Sequence, residues 1–226
     1  MKSFVVQRVD EFQQELTALL KPRGFRKSGR TYNRPAHDGI VQVINVQAGP
    51  YEIGEPPPAS VAHLRPNLYG RFTINLGAYV PEAHDRSYQK PRRTIQDYHC
   101  AIRFRFSDLI PELIDWWSVN EPRGDVITQV SELLVGTGLP LLERFSNHDD
   151  IVNNWIRFNE SELRLTNTAR LDVAMILLAR GDQHGAKRLF EDQVRGAAHH
   201  RGHQDVVRKQ ALELGLGELG LGELAV

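Results

Sequence analysis

Cysteine is almost absent from this chain. Cys100 is the only one in 226 residues, so an internal disulfide and any cysteine-based metal framework are excluded. Long apolar runs are missing as well. The longest, Val173 to Ala179, is bracketed by Asp172 and Arg180 and falls far short of the roughly 20 residues of a membrane-spanning helix. The opening residues, Met1 to Arg8, hold no apolar stretch of the signal-peptide kind. A reducing cytoplasm is therefore the expected compartment. There is no glycine-rich phosphate loop after a strand, no Gly-x-Ser-x-Gly and no His-Glu-x-x-His, so no cofactor is expected and no catalytic residue is identified. Net charge is also lacking, at 28 basic against 28 acidic residues. That balance hides an asymmetry: residues 1–110 carry 16 Lys/Arg against 10 Asp/Glu, and the remainder has the opposite excess. A basic first half suits an anionic partner, and equally suits two halves that attract each other.

What the chain does have is periodicity. Val5, Val9, Phe12, Leu16 and Leu19 recur at helical spacing, and Pro22 and Gly24 end the helix they imply. From Phe25 the period falls to two. A strand or hairpin is expected over 25–34 with a bend at Gly29, a second strand over 40–47, and a third over 71–79. In 99–106, Cys100, Ile102, Phe104 and Phe106 alternate with His99, Ala101, Arg103 and Arg105. Two long connections, 48–70 and 80–98, interrupt the strands. The first carries Pro50, Pro56, Pro57, Pro58 and Pro66, the second Pro81, Pro91, Lys90, Arg92 and Arg93. After Asp108 the pattern turns helical: Leu109 to Val119, Asp125 to Val135, Leu139 to Phe145, and a helical pair around the Gly181-Asp182 turn. The expected fold is α+β, a small antiparallel sheet with an N-terminal helix followed by a mostly helical C-terminal half. The domain reading is a core over 1–146, a helical appendage over 147–214, and a frayed low-complexity tail over 215–226, where Gly-Leu-Gly-Glu-Leu occurs twice.

Several pieces fall in the order found in one family. They are Leu20-Lys21-Pro22 with Gly24-Phe25; Arg30-Thr31-Tyr32 leading to Val41-Gln42-Val43-Ile44-Asn45 and Gln47; Phe72-Thr73-Ile74-Asn75-Leu76-Gly77; Cys100 with Arg103 and Arg105; and Trp116-Trp117. On these the chain resembles the bacterial family of domain of unknown function 4304 over about residues 5–145. The resemblance implies an α+β fold and no assigned activity, so it transfers no catalytic residue.

Alternation sets Thr73 and Asn75 opposite Phe72, Ile74 and Leu76, and sets Arg103 and Arg105 opposite Cys100 and Phe104. Strand 40–47 is apolar on both sides, so either Val41, Val43, Asn45 and Gln47 or Gln42, Ile44 and Val46 join the same face. The candidate ligand-binding residues are Thr73, Asn75, Arg103, Arg105 and Gln47, because arginine forks hold anions and amides complete the shell. The competing reading is a polar network that pins other parts of the chain to the sheet. Cys100, alternating with apolar residues, reads as a buried, inert thiol rather than a nucleophile.

Lys21, Arg23, Arg26, Lys27, Arg30 and Arg34, interleaved with Phe25 and Tyr32, resemble a nucleic-acid strip, but alternation scatters them over both faces and a protected edge strand is the favoured reading. His199 and His203 have i, i+4 metal-ligand spacing without a supporting motif, so no metal is expected. Asp149-Asp150 reads as a helix start. The functional expectation is a non-enzymatic module that binds a protein or a small acidic ligand, with no membrane and no nucleic acid. The alternative is an enzyme acting on a phosphorylated or nucleic-acid substrate through an Arg103/Arg105 cleft, with His37, His63 or His84 as general base.

Overall fold

The computed structural model describes residues 3–50, 67–84, 93–110, 112–113, 115–160 and 167–220, with backbone alone at 84, 155–160 and 167–169. The prolines at 56–58, 66 and 91, and Lys90, Arg92 and His63, lie outside the described residues.

Helix α1 (Phe4–Leu20) starts at Ser3, whose hydroxyl accepts from the Val6 N–H. Its buried stripe is Val9, Phe12, Leu16 and Leu20, the period the sequence predicts. A 3-10 turn through Pro22 ends in Gly24 at φ 85°, a left-handed position that favours glycine. The chain then forms an antiparallel meander of β1 (Arg26–Ser28), β2 (Thr31–Pro35), β3 (Val41–Ala48), β4 (Arg71–Tyr79) and β5 (Ile102–Arg105). The expected bend at Gly29, φ 60°, is the β1–β2 turn. Short helix α2 (Pro81–His84) follows β4, and 3-10 turns at Asp97–His99 and Phe106–Asp108 flank β5.

One element departs from the sequence reading. Residues around Trp116-Trp117, expected as helix, contain strand β6 (Trp117–Ser118), which pairs with Arg71–Phe72 of β4. Strands β5 and β6 thus share the edge of β4 that β3 does not use, one after the other. Trp117 packs between Phe72 and Phe106 and donates through Nε1 to Gln129, so apolar burial selects the extended form over a helical turn.

Register assigns the faces. Phe72, Ile74, Leu76 and Ala78 of β4 share one face with Ile44 and Val46 of β3 and Ile102 and Phe104 of β5. Against it pack α1, with Phe12 and Phe72 rings 4.5 Å apart, and the helical run of α3 (Arg123–Leu133), a π-turn (Leu134–Gly138) and α4 (Leu139–Glu143). Gly138 lets this run approach closely: a β-carbon there would lie 3.2 Å from both Leu76 and Phe106. The remaining helices are α5 (His148–Glu160), α6 (Asn167–Ala179), α7 (Gln183–Gly196) and α8 (Arg201–Glu213). The buried apolar cluster runs from Val9 through Val207 and Ala211 to Leu216. In the tail, Leu216 of the first copy is buried and Gly220, which opens the second, donates its N–H to Glu191, while Gly215, Gly217 and Glu218 are exposed. Among the described residues no helix is long and apolar enough to cross a membrane.

Candidate functional site

The second face of the sheet is polar, and pairing decides the ambiguity left by β3. Asn45 sits opposite Asn75, and Gln47 opposite Thr73, so Val41, Val43, Asn45 and Gln47 belong to the polar face. Gln42 points the other way, donating 2.6 Å to the Leu142 carbonyl of α4. One cross-sheet row reads Ser28, Thr31, Asn45, Asn75, Arg105, and the next reads Arg26, Asn33, Val43, Gly77, Arg103. All five sequence candidates, Thr73, Asn75, Arg103, Arg105 and Gln47, therefore come together on one face.

Asn75 is the hub. Its Nδ2 lies 2.9 Å from Gln47 Oε1 and 3.2 Å from Asp97 Oδ2, and its Oδ1 accepts from Arg105 Nε at 3.0 Å. Thr31 carries the network on, donating to Gln96 Oε1 at 2.6 Å and accepting from Asn45 at 2.9 Å. The segment 94–100 is strapped over this face. Asn33 bonds both the N–H and the carbonyl of Ile95, and Thr94 bonds Ser28.

Asp97, which the sequence reading did not single out, is buried and faces Arg103 at 3.3 Å. A signal existed: it is the only acid between Asp85 and Asp108 in an otherwise basic stretch. Arg103 is half exposed, so screening leaves this pair modest.

Cys100 is buried, as expected, but on the other side from the one expected. Strand β5 begins only at Ile102, and Cys100, at the end of the 3-10 turn, lies over Gly77 on the polar face. A β-carbon on Gly77 would fall 2.8 Å from its Sγ, which is why glycine is needed there. Burial pushes the thiol pKa far up, with Asp97 adding to the rise and Arg103 opposing it. The group is a neutral, unreactive thiol.

The two arginines differ. Arg103 is matched by Asp97. Arg105 has no carboxylate on its guanidinium: Nε bonds Asn75, the Cζ lies 5.8 Å from the Trp116 ring, and neither Nη has a partner among the described residues. Its position is fixed by its own N–H, which donates 2.7 Å to Asp108. Next along β4, Thr73 is fully buried and its hydroxyl has no partner among the described residues. The loop carrying Trp116 is held by Asp115, a buried carboxylate that accepts from both the N–H and the hydroxyl of Ser107. Gln47 and Arg105 thus meet at Asn75, Thr73 is paired with Gln47 across β3–β4, and Trp116 lies against the Arg105 guanidinium.

This stretch of chain has a match. Residues 63–144 match the family model of the domain of unknown function DUF4304. The matched stretch takes in β4, β5, β6, the Asp97 strap and Trp116, while the earlier pieces of the resemblance, Leu20 to Gln47, precede it. No curated protein and no solved structure matches the chain.

The other constellations resolve into structural contacts. In the basic strip, Phe25 and Tyr32 are buried, Arg34 stacks on Phe25 and pairs with Glu143, and Tyr32 donates to the Gln13 carbonyl. No aromatic of the strip is left to stack on a base. His203 meets Gln193 through Nε2, and His200 lies at the start of α8. Asp150 exchanges bonds with Asn147 at the start of α5, and Asp149 pairs with Arg180. His37 is tied to the Ser146 carbonyl at the far end of the β2–β3 hairpin. His63 and the side chain of His84 lie outside the described residues.

Proposed function

We propose that the chain is a non-enzymatic binding module that takes the acidic group of a protein or small ligand on the polar sheet face, at the Arg105 end. The observation that carries this reading is the contrast between the arginines. Asp97 pairs with Arg103, whereas both Nη donors of Arg105 are without a partner among the described residues. A free guanidinium end of this kind takes an anion through charge-assisted, bidentate hydrogen bonds. The module works in a reducing compartment, the cytoplasm, consistent with a single buried thiol.

Calorimetric titration of the full chain with poly-glutamate and with glutarate tests this. Saturable binding is expected, weakened about ten- to a hundredfold in Arg105→Gln, the loss that one or two charge-assisted hydrogen bonds bring. Arg103→Gln should change it little. Equal weakening by the two variants sinks the reading.

A further inference from the structure

Resting on that reading, the geometry points to a single carboxylate, rather than a phosphoryl group, as the ligand group held at Arg105. Three observations converge. First, Arg105 uses Nε on Asn75, so only the Nη1/Nη2 end of the fork is open. Its two parallel N–H vectors match the two oxygens of a carboxylate. Second, the remaining donors are few and neutral. Beside the fork the sheet face offers Gln47 Nε2, the donor end of an amide whose oxygen is taken by Asn75, while the Thr73 hydroxyl is closed off by burial. A phosphoryl group needs donors around three oxygens, and the fork with one neutral amide does not surround it. Third, Asp97 sits across the same Asn75 amide from Arg105, for Asn75 donates through Nδ2 to Asp97 and accepts at Oδ1 from Arg105 Nε. Besides Asp97, Asp108 accepts from the Arg105 N–H and the buried Asp115 precedes Trp116. A carboxylate brings one negative charge into this acidic surrounding, whereas a phosphate monoester, at about −1.5 to −2, brings more and is repelled more strongly. Trp116, its ring 5.8 Å from the guanidinium carbon, restrains the intrinsically planar fork and offers an apolar wall to the carbon next to the carboxylate.

The test uses the full-length chain labelled with nitrogen-15, reading the Arg105 Nε–H resonance and the Trp116 indole during titration at pH 7 and constant ionic strength. The probes are acetate, the capped tripeptide Gly-Glu-Gly and inorganic phosphate. The expected result is a saturable Arg105 shift with at least one carboxylate probe, about tenfold tighter than with phosphate, a preference of roughly 1.4 kcal/mol. The peptide binding tighter than acetate marks a protein side chain as the source, and the reverse marks a small acid; both support a carboxylate. Arg105→Lys, which keeps the charge and removes the fork, should abolish the preference, and Asp97→Asn should bring phosphate up towards the carboxylate. Phosphate binding as tightly as the carboxylates overturns the inference and leaves the binding module standing. No saturable shift with any probe, in a chain whose other resonances are those of the folded protein, overturns the module reading itself.

Discussion

Two threonines on the same sheet face should respond in opposite directions to one substitution. Thr73 and Thr31 are both essentially fully buried, at 0% and 1% exposure. The Thr73 hydroxyl has no partner among the described residues, whereas that of Thr31 donates to Gln96 and accepts from Asn45. Valine has nearly the shape of threonine with a methyl in place of the hydroxyl, and it is at least as good in a strand. At position 73 the change removes a buried polar atom that costs about 1–3 kcal/mol while unpaired. A net gain of about 1–2 kcal/mol is expected for Thr73→Val, taking the lower part of that range because the exchange is not perfectly isosteric. At position 31 the same change leaves the Asn45 amide and the Gln96 oxygen short of a buried partner, and a loss of about 2–4 kcal/mol follows. Urea unfolding measures both. The midpoints should move up for Thr73→Val and down for Thr31→Val with unchanged slope. Movement in the same direction would refute the reasoning, because the two changes differ in little except the hydrogen bonds described.

Gly77→Ala should destabilise by about 2 kcal/mol or more, since overpacking of a filled interior costs 1–3 kcal/mol and a β-carbon there meets Cys100 Sγ, Cys100 Cβ and the Ile102 carbonyl within 3.0 Å; the unfolding midpoint reads it out, and a neutral result removes the claim of close approach. Cys100 and Tyr32 both have raised folded-state pKa values, chiefly from burial. Their contribution to stability is therefore fully present below the unfolded-chain pKa values and is lost as pH rises, from about pH 8.5 upward for the thiol and about 10 for the phenol. Urea midpoints falling between pH 8 and 11, less steeply in Cys100→Ala, check this, and a stability that rises with pH there contradicts it. Short single-stranded RNA should show no salt-sensitive binding, because the aromatics of the basic strip are buried; an affinity that falls steeply with added salt contradicts that.

The sheet was legible wherever alternation ran long enough to establish a period. Strand β4, nine residues long, put Thr73 and Asn75 on one face, and Arg103 and Arg105 followed from β5. Alternation misled where it was carried past a strand end. Cys100 precedes Ile102, so the thiol's face is set by the 3-10 turn and not by the pleat. Strand β6 has two residues, too few for any period to show, and its pairing depends on β4, more than forty positions earlier. The facing of β3 was undecidable locally because Val, Ile and Gln alternate without contrast, and a partner strand and the Leu142 carbonyl settle it. Asp97 lies in a connection with no periodicity at all, so its meeting with Asn75 and Arg103 is tertiary information.

The strap over the polar face has a consequence for uniqueness. Antiparallel sheets of this kind usually leave their second face to water, yet here seven consecutive residues of β4, from Phe72 to Ala78, are buried. Between Thr94 and Asp97 the strap is placed by hydrogen bonds, matched in turn by Ser28, Asn33, Thr31 and Asn75. Apolar contacts tolerate a slide of a residue, but donors and acceptors do not: a shift by one would set amides against the wrong partners along the whole strap. The sheet face therefore acts as a template that admits a single alignment of the loop above it, and the position of Asp97 between the two arginines is inherited from that alignment.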